Sequence, residues 1–353
     1  MNMDRKILRI GTVLILGAVV LRLLGGGLAS NILPALGTPR AASVLLFLST
    51  GRFVRYEESL DALPTEPEKP VNTAPIQPET IPVTEPEPPQ ETLPTVPPLP
   101  QEPLVFSSAD VDLIRLKDYC GYEISERDLL ALPLSWNLAQ EGPTVLILHT
   151  HGTESFENTE GYEPWGDYRT LDDHYNMISI GDRVAEILES AGIGVIHDRT
   201  RHDELAYTGS YDRARDPIKS YLKQYPSIQL ILDLHRDSAK DSKGQQIGYT
   251  ITTDRGESAQ LMLVIGSNAG GLKHTYWRHN LALGVKIHAQ LEKEYPGICR
   301  TLQLRTSRFN QDLSKGAVLI EVGSAGNTRQ EALLAAELLA ECLIQLSAGA
   351  VYE

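Results

Sequence analysis

The run Val145-Leu-Ile-Leu-His-Thr-His-Gly-Thr-Glu154 ends an apolar stretch in two imidazoles and a carboxylate. Following Gly142-Pro143, Val145 to Leu148 has the pattern of a strand buried on both faces, and a buried strand that opens into polar ligands marks the edge of an active site. Side chains alternate along a strand, which predicts His149 and His151 on one face with Thr150 opposite. His151 and Glu154 also form a His-x-x-Glu pair, a combination that zinc hydrolases use to grip their metal. Later in the chain two more apolar runs end in titratable groups: Ile228 to Leu234 in His235-Arg236-Asp237, and Val318 to Ile320 in Glu321. A carboxylate directly after Val-Leu-Ile is costly to bury without a partner, so Glu321 is read as functional.

These groups suit metal-assisted hydrolysis. Zinc takes three protein ligands and keeps a fourth position for water, whose pKa it lowers toward ~7, while a carboxylate moves the proton. His151 and His235 fit as ligands and Glu321 as the base. The third ligand is either Glu154, by its short spacing from His151, or Asp172, which stands where the next helix begins and could cap it instead. His149 either supports the site from behind or exchanges roles with His151. Arg236 is expected to pair with Asp237 or Glu321, or to bind a substrate carboxylate.

The elements that must position these residues alternate along the chain. Strand-like runs at 145–148, 193–197, 228–234, 261–265 and 318–322 are separated by helix-like runs at 176–190, 211–224, 280–294 and 328–346. That rhythm predicts an α/β fold, a mostly parallel twisted sheet with helices on both faces, whose ligands bind outside the carboxyl ends of the strands. Residues 248–253 and 301–304 are candidate added strands that could make the sheet mixed.

The remainder of the 353 residues is organised around this domain. Residues 1–30 pair a basic start with an apolar segment, the layout of a membrane anchor or a cleaved signal segment. Residues 31–56 form a short membrane-proximal stretch. Residues 57–104 are rich in Pro and Glu and cannot pack a core, so they are expected to be a disordered linker. The catalytic domain is assigned to 105–353, outside the cytoplasm. The net charge of -14 argues against nucleic acid as a partner. Cys120, Cys299 and Cys342 lack CxxC spacing and are too few for a disulfide framework, which leaves one bridge or none.

Five stretches taken together, VLILHTHGTESF (145–156), DDHYNMISIGD (172–182), LDLHRD (232–237), FNQDL (309–313) and LIEVGSAGNT (319–328), resemble the stage II sporulation protein P family of endospore-forming bacteria. The anchor and the acidic tether are similar too. The resemblance implies an N-acetylmuramoyl-L-alanine amidase-like domain that uses Zn2+ to hydrolyse peptidoglycan, as an amidase and as a D,L-endopeptidase. It also implies a place at the sporulation septum during engulfment, with stage II sporulation proteins D and M as partners. The family's motif histidines fall on His151 and His235 and its catalytic glutamate on Glu321. Related amidases take a glutamate as third ligand at the start of the first helix, where this chain has Asp172, and the choice between Glu154 and Asp172 stays open. Two other readings compete: a zinc carboxypeptidase acting on wall peptides, and a catalytically silent, tethered wall-binding module.

Overall fold

The computed structural model describes residues 96–157, 162 and 168–353. The chain divides into two compact units, Met1–Pro86 and Glu87–Glu353. The first, with the expected anchor, the membrane-proximal stretch and most of the linker, lies outside the described residues. Among the described residues no helix is long and apolar enough to cross a membrane. Val96 and Leu99 already pack against the core, and Leu104 begins the first strand, so the folded unit starts ahead of residue 105.

A seven-stranded sheet forms the centre. Its strands are β2 (Leu116–Asp118), β3 (Pro143–Leu148), β4 (Gly194–His197), β5 (Leu230–Asp237), β8 (Leu261–Gly266), β9 (Leu302–Arg305) and β10 (Ala317–Ser324), in the order β2-β9-β8-β10-β5-β3-β4. Every neighbouring pair is parallel except β10 with β8, so the sheet is mixed, with a single seam between two parallel halves. β1 (Leu104–Phe106) pairs with β11 (Ala350–Tyr352) at the start and end of the domain. β6 (Thr250–Thr253) pairs with β7 (Gly256–Ala259) in a separate hairpin, so residues 248–253 do not extend the main sheet.

The apolar runs are continuous because both faces are covered. Val145 and Ile147 of β3 point into one core with α2 (Met177–Ser190), α4 (Trp277–Glu294) and α5 (Arg329–Gln345). Leu146 and Leu148 point the other way, toward Ala214 and Ile218 of α3 (Ser210–Gln224). Burying each such side chain contributes about 2 kcal/mol. The short α1 (Glu126–Ala131) completes the described helices. In α2, Ile180, Val184, Ile187 and Leu188 recur at helical spacing on the buried face, and Asn176 caps the start by accepting from the Ile178 amide. A capping box between Thr328 and Glu331 starts α5. The α/β class and the mostly parallel sheet thus agree with the sequence pattern. All three cysteines are free thiols.

Candidate metal and catalytic site

The chemistry-bearing residues meet where β3, β5 and β10 end. β5 and β10 are neighbours in register, with His235 opposite Glu321 and Asp233 opposite Leu319, so all four side chains project from one face. β3 stops at Leu148, and His149 to Thr153 form a turn rather than more strand. Two threonines fasten that turn. Thr150 donates from its amide and its hydroxyl to Asp233, at 2.8 and 2.7 Å, and Thr153 does the same to Asp203, at 3.1 and 2.6 Å. The result brings the His151 and His235 rings edge to face, 5.2 Å between centroids.

Glu154 joins them. Its Oε2 lies 3.6 Å from His235 Nδ1 and accepts the Arg236 amide at 3.2 Å, while Oε1 is paired with Arg169 at 3.4 Å. Arg236 is buried and braces this loop, donating to the Ser155 and Tyr168 carbonyls at 2.9 Å each. Among the described residues Glu154 is a carboxylate partner of Arg236, at 3.7 Å, and Asp237 pairs with Arg300 at 2.7 Å. Asp172 is exposed and accepts the His174 amide in a local turn, apart from the histidines. Of the two alternatives for a third ligand, Glu154 is the one the fold carries to His151 and His235.

The expectation that His149 and His151 share a face does not hold, because the strand ends before alternation can apply. His149 is fully buried behind the site, donating from Nδ1 to the Leu234 carbonyl at 2.9 Å and meeting His197 Nε2 at 2.8 Å. Burial, reinforced by His197, lowers its pKa to about 3. This pair fits only because residue 181 is glycine: a Cβ there would stand 2.5 Å from both Nε2 atoms.

Several site residues escape a reading of the sequence. Asp233 lies 2.9 Å from His235 Nε2 and fixes that ring. Strand parity could have found it, since it stands two residues before His235 in an otherwise apolar run. Asp203, Arg169 and Tyr207 come from loops with no periodic signal. Tyr207 lies flat on His151 with centroids 4.2 Å apart, Arg169 sits over the Tyr207 ring at 4.9 Å, and Tyr211 meets His151 edge-on at 5.7 Å. Together these residues line one side of a cleft of about 860 Å³ that also holds Glu154, His235 and Glu321.

Burial and neighbouring carboxylates compete over the charge of the titratable groups in the cleft. Burial opposes a charge on His235, yet Asp233, Glu154 and Glu321 overrule it and raise its pKa to about 9. Burial raises Glu321 to about 8 despite His235, whereas burial lowers His151 to about 4 against the pull of Glu154. His151 Nδ1 and Glu321 Oε2 are buried without a hydrogen bond. Among the described residues no group of three or more His, Cys, Asp or Glu side chains already stands in the arrangement of a metal shell. Glu154 is drawn toward Arg169 and Arg236. The donor set of two imidazoles and a carboxylate, with His151 Nδ1 left without a partner, nonetheless suits a divalent cation.

Stage II sporulation protein P of Bacillus subtilis (strain 168) is 29% identical over 214 residues, covering 57% of this chain and 50% of that protein. The chain thus spans about half the length of the curated relative it matches. Among solved structures, the N-acetylmuramyl-L-alanine amidase Ami1 from Mycobacterium smegmatis aligns over 59% of this chain and 95% of its own, at 15% identity and a TM-score of 0.37. The N-acetylmuramoyl-L-alanine amidase from Clostridium difficile 630 aligns over 58% and 95%, at 19% identity and a TM-score of 0.35. The family model for stage II sporulation protein P matches residues 66–344, which take in every site residue described above, and the chain belongs to that family.

Proposed function

We propose that this protein is a zinc-dependent peptidoglycan hydrolase of endospore formation, an N-acetylmuramoyl-L-alanine amidase that also acts as a D,L-endopeptidase. The observation that carries the reading is the gathering of His151, His235, Glu154 and Glu321 in one cleft at the ends of β3, β5 and β10. Family membership supports the sporulation role and the wall substrate. His151, His235 and Glu154 would hold the zinc, with Asp233 keeping the His235 ring in place. When bound, zinc acts as a Lewis acid and lowers the pKa of its water toward ~7. With a cation beside it favouring its ionised form, Glu321 would receive a proton at its carboxylate and return it to the departing amine. Tyr207 and Arg169 shield the His151 side of the cleft.

On this reading residues 1–30 anchor the chain in the membrane, and the catalytic domain works outside the cytoplasm at the sporulation septum. Stage II sporulation proteins D and M are its proposed partners. The test is muropeptide release from purified wall by the purified protein with and without a zinc chelator. Release that stops with chelator and returns with added zinc supports the mechanism, and equal release in both conditions removes it. Terminal D-alanine as the sole product would instead identify a carboxypeptidase. Wall binding without any release would identify a silent binding module.

A further inference from the structure

We propose that the end of the cleft away from the histidines is a carboxylate subsite, in which Arg305 reads a free carboxylate on the peptide of the wall substrate; the proposal rests on the hydrolase reading above and specifies its substrate. The argument begins with the face of the sheet. α3 covers that face over β3 and β5, where Leu146, Leu148 and Ile231 meet Ala214 and Ile218. Beyond β10 the cover ends. Met262, Val264 and Leu319 form a small apolar floor flanked by Tyr211 and Phe309.

Register carries the same face outward. Glu321 lies opposite Met262, Leu319 opposite Val264, and Val264 in turn opposite Gln303. Since alternate residues share a face, Glu321, Leu319, Met262, Val264, Gln303 and Arg305 all project the same way, and all of them line the cleft. Arg305 stands two strands across and four residues along from Glu321 in this register. At ~4.8 Å per strand and ~3.4 Å per residue, their Cα atoms are ~17 Å apart. The long arginine side chain closes part of that gap, leaving roughly two to three residues of extended peptide.

The guanidinium is held for binding. It lies over the Tyr119 ring at 4.9 Å and donates to Gln303 Oε1 at 3.1 Å. Among the described residues no carboxylate is ion-paired with it, whereas Arg169 is paired with Asp203 at 2.5 Å and Arg236 with Glu154 at 3.7 Å. A planar, preorganised guanidinium with unused donors matches a carboxylate in two-pronged geometry. At the other end of the cleft the guanidinium groups of Arg169 and Arg236 are already engaged by Asp203 and Glu154, which leaves Arg305 as the lining arginine with donors to spare among the described residues. A peptide bearing a carboxylate two to three residues from the bond to be cut is therefore oriented in one direction along the floor.

The experiment compares two muramoyl peptides, one with its peptide carboxylates free and one with them converted to primary amides. Hydrolysis is measured for the wild type, Arg305→Gln and Arg305→Lys, and binding of both peptides is measured on Glu321→Gln with and without Arg305→Gln. The wild type is expected to prefer the free acid about tenfold in kcat/KM, mainly through KM. Arg305→Gln should treat the two peptides alike, and Arg305→Lys should keep part of the preference. A preference that survives in Arg305→Gln, or that is absent from the wild type, overturns the subsite while leaving the hydrolase reading intact. Arg305-dependent binding of the free acid with no hydrolysis by the wild type does the reverse: the subsite stands and the hydrolase reading falls.

Discussion

Replacing Glu321 by Gln separates what this residue does for catalysis from what it does to the fold. Burial raises its pKa from the ordinary 4.5 to about 8. The folded protein therefore holds a proton that the unfolded chain has already released, and stability falls as pH rises from 4.5 toward 8. Each pH unit in that interval costs at most about 1.4 kcal/mol, so the accumulated cost at pH 7 has a ceiling of about 3 kcal/mol. Glu321 is only partly covered at the cleft wall, and water there brings the figure nearer 2 kcal/mol. Glu321→Gln keeps the shape and removes the titration. Metal-free protein of each kind is to be melted at pH 5 and pH 7.5 and assayed on purified wall after zinc is restored. The variant should match the wild type within ~1 kcal/mol at pH 5, exceed it by about 2 kcal/mol or roughly 6 °C at pH 7.5, and lose at least ~100-fold in hydrolysis. A stability gap that does not change with pH would refute the assignment of the buried proton to Glu321.

Glu154→Gln should lower bound zinc, measured by elemental analysis after dialysis, and abolish hydrolysis, whereas Asp172→Asn should leave both within about twofold, because Asp172 only closes a local turn. Asp233→Asn should weaken zinc ~10 to 100-fold in competition with a chromophoric chelator while the protein stays folded, since the His235 ring loses the carboxylate that orients it. Gly181→Ala should lower the melting temperature by an amount equivalent to about 2 kcal/mol, because the new methyl group collides with the His149 and His197 rings. The paired substitution Gly181→Ala with His197→Ala should recover part of that loss.

Much of the framework is legible in the chain because apolar runs and helical periodicity are local. Val145 to Leu148, Ile228 to Leu234 and Val318 to Val322 announce buried strands, and Asn176 and Thr328 announce the helices that follow them. Short edge elements are not legible in this way. Leu116-Lys117-Asp118 carries no strand pattern of its own and is held only by pairing with Leu302 to Leu304, far along the chain. Within the site, His235 and Glu321 stand on regular strands whose register brings them together, and parity is enough to place them. His149 and His151 lie on a turn whose path is set by Asp233 and Asp203, residues 83 and 50 positions away from the threonines they hold. No counting rule within the segment reaches those partners. The same dependence on distant anchors explains why the spacing of Glu154 from His151 favours it but leaves Asp172 open as an alternative, while the folded chain sets only Glu154 beside the histidines.

Glu321 occupies the strand at the seam, where its backbone is laddered to β5 on one side and to β8 on the other. A residue tied down along both flanks has little freedom to travel during a catalytic cycle. Tyr207 and Arg169 hang on connecting segments and can yield. Whatever adjustment a wall strand requires on arrival should then come from the loop side of the cleft, with the glutamate as the stationary reference against which the rest is aligned.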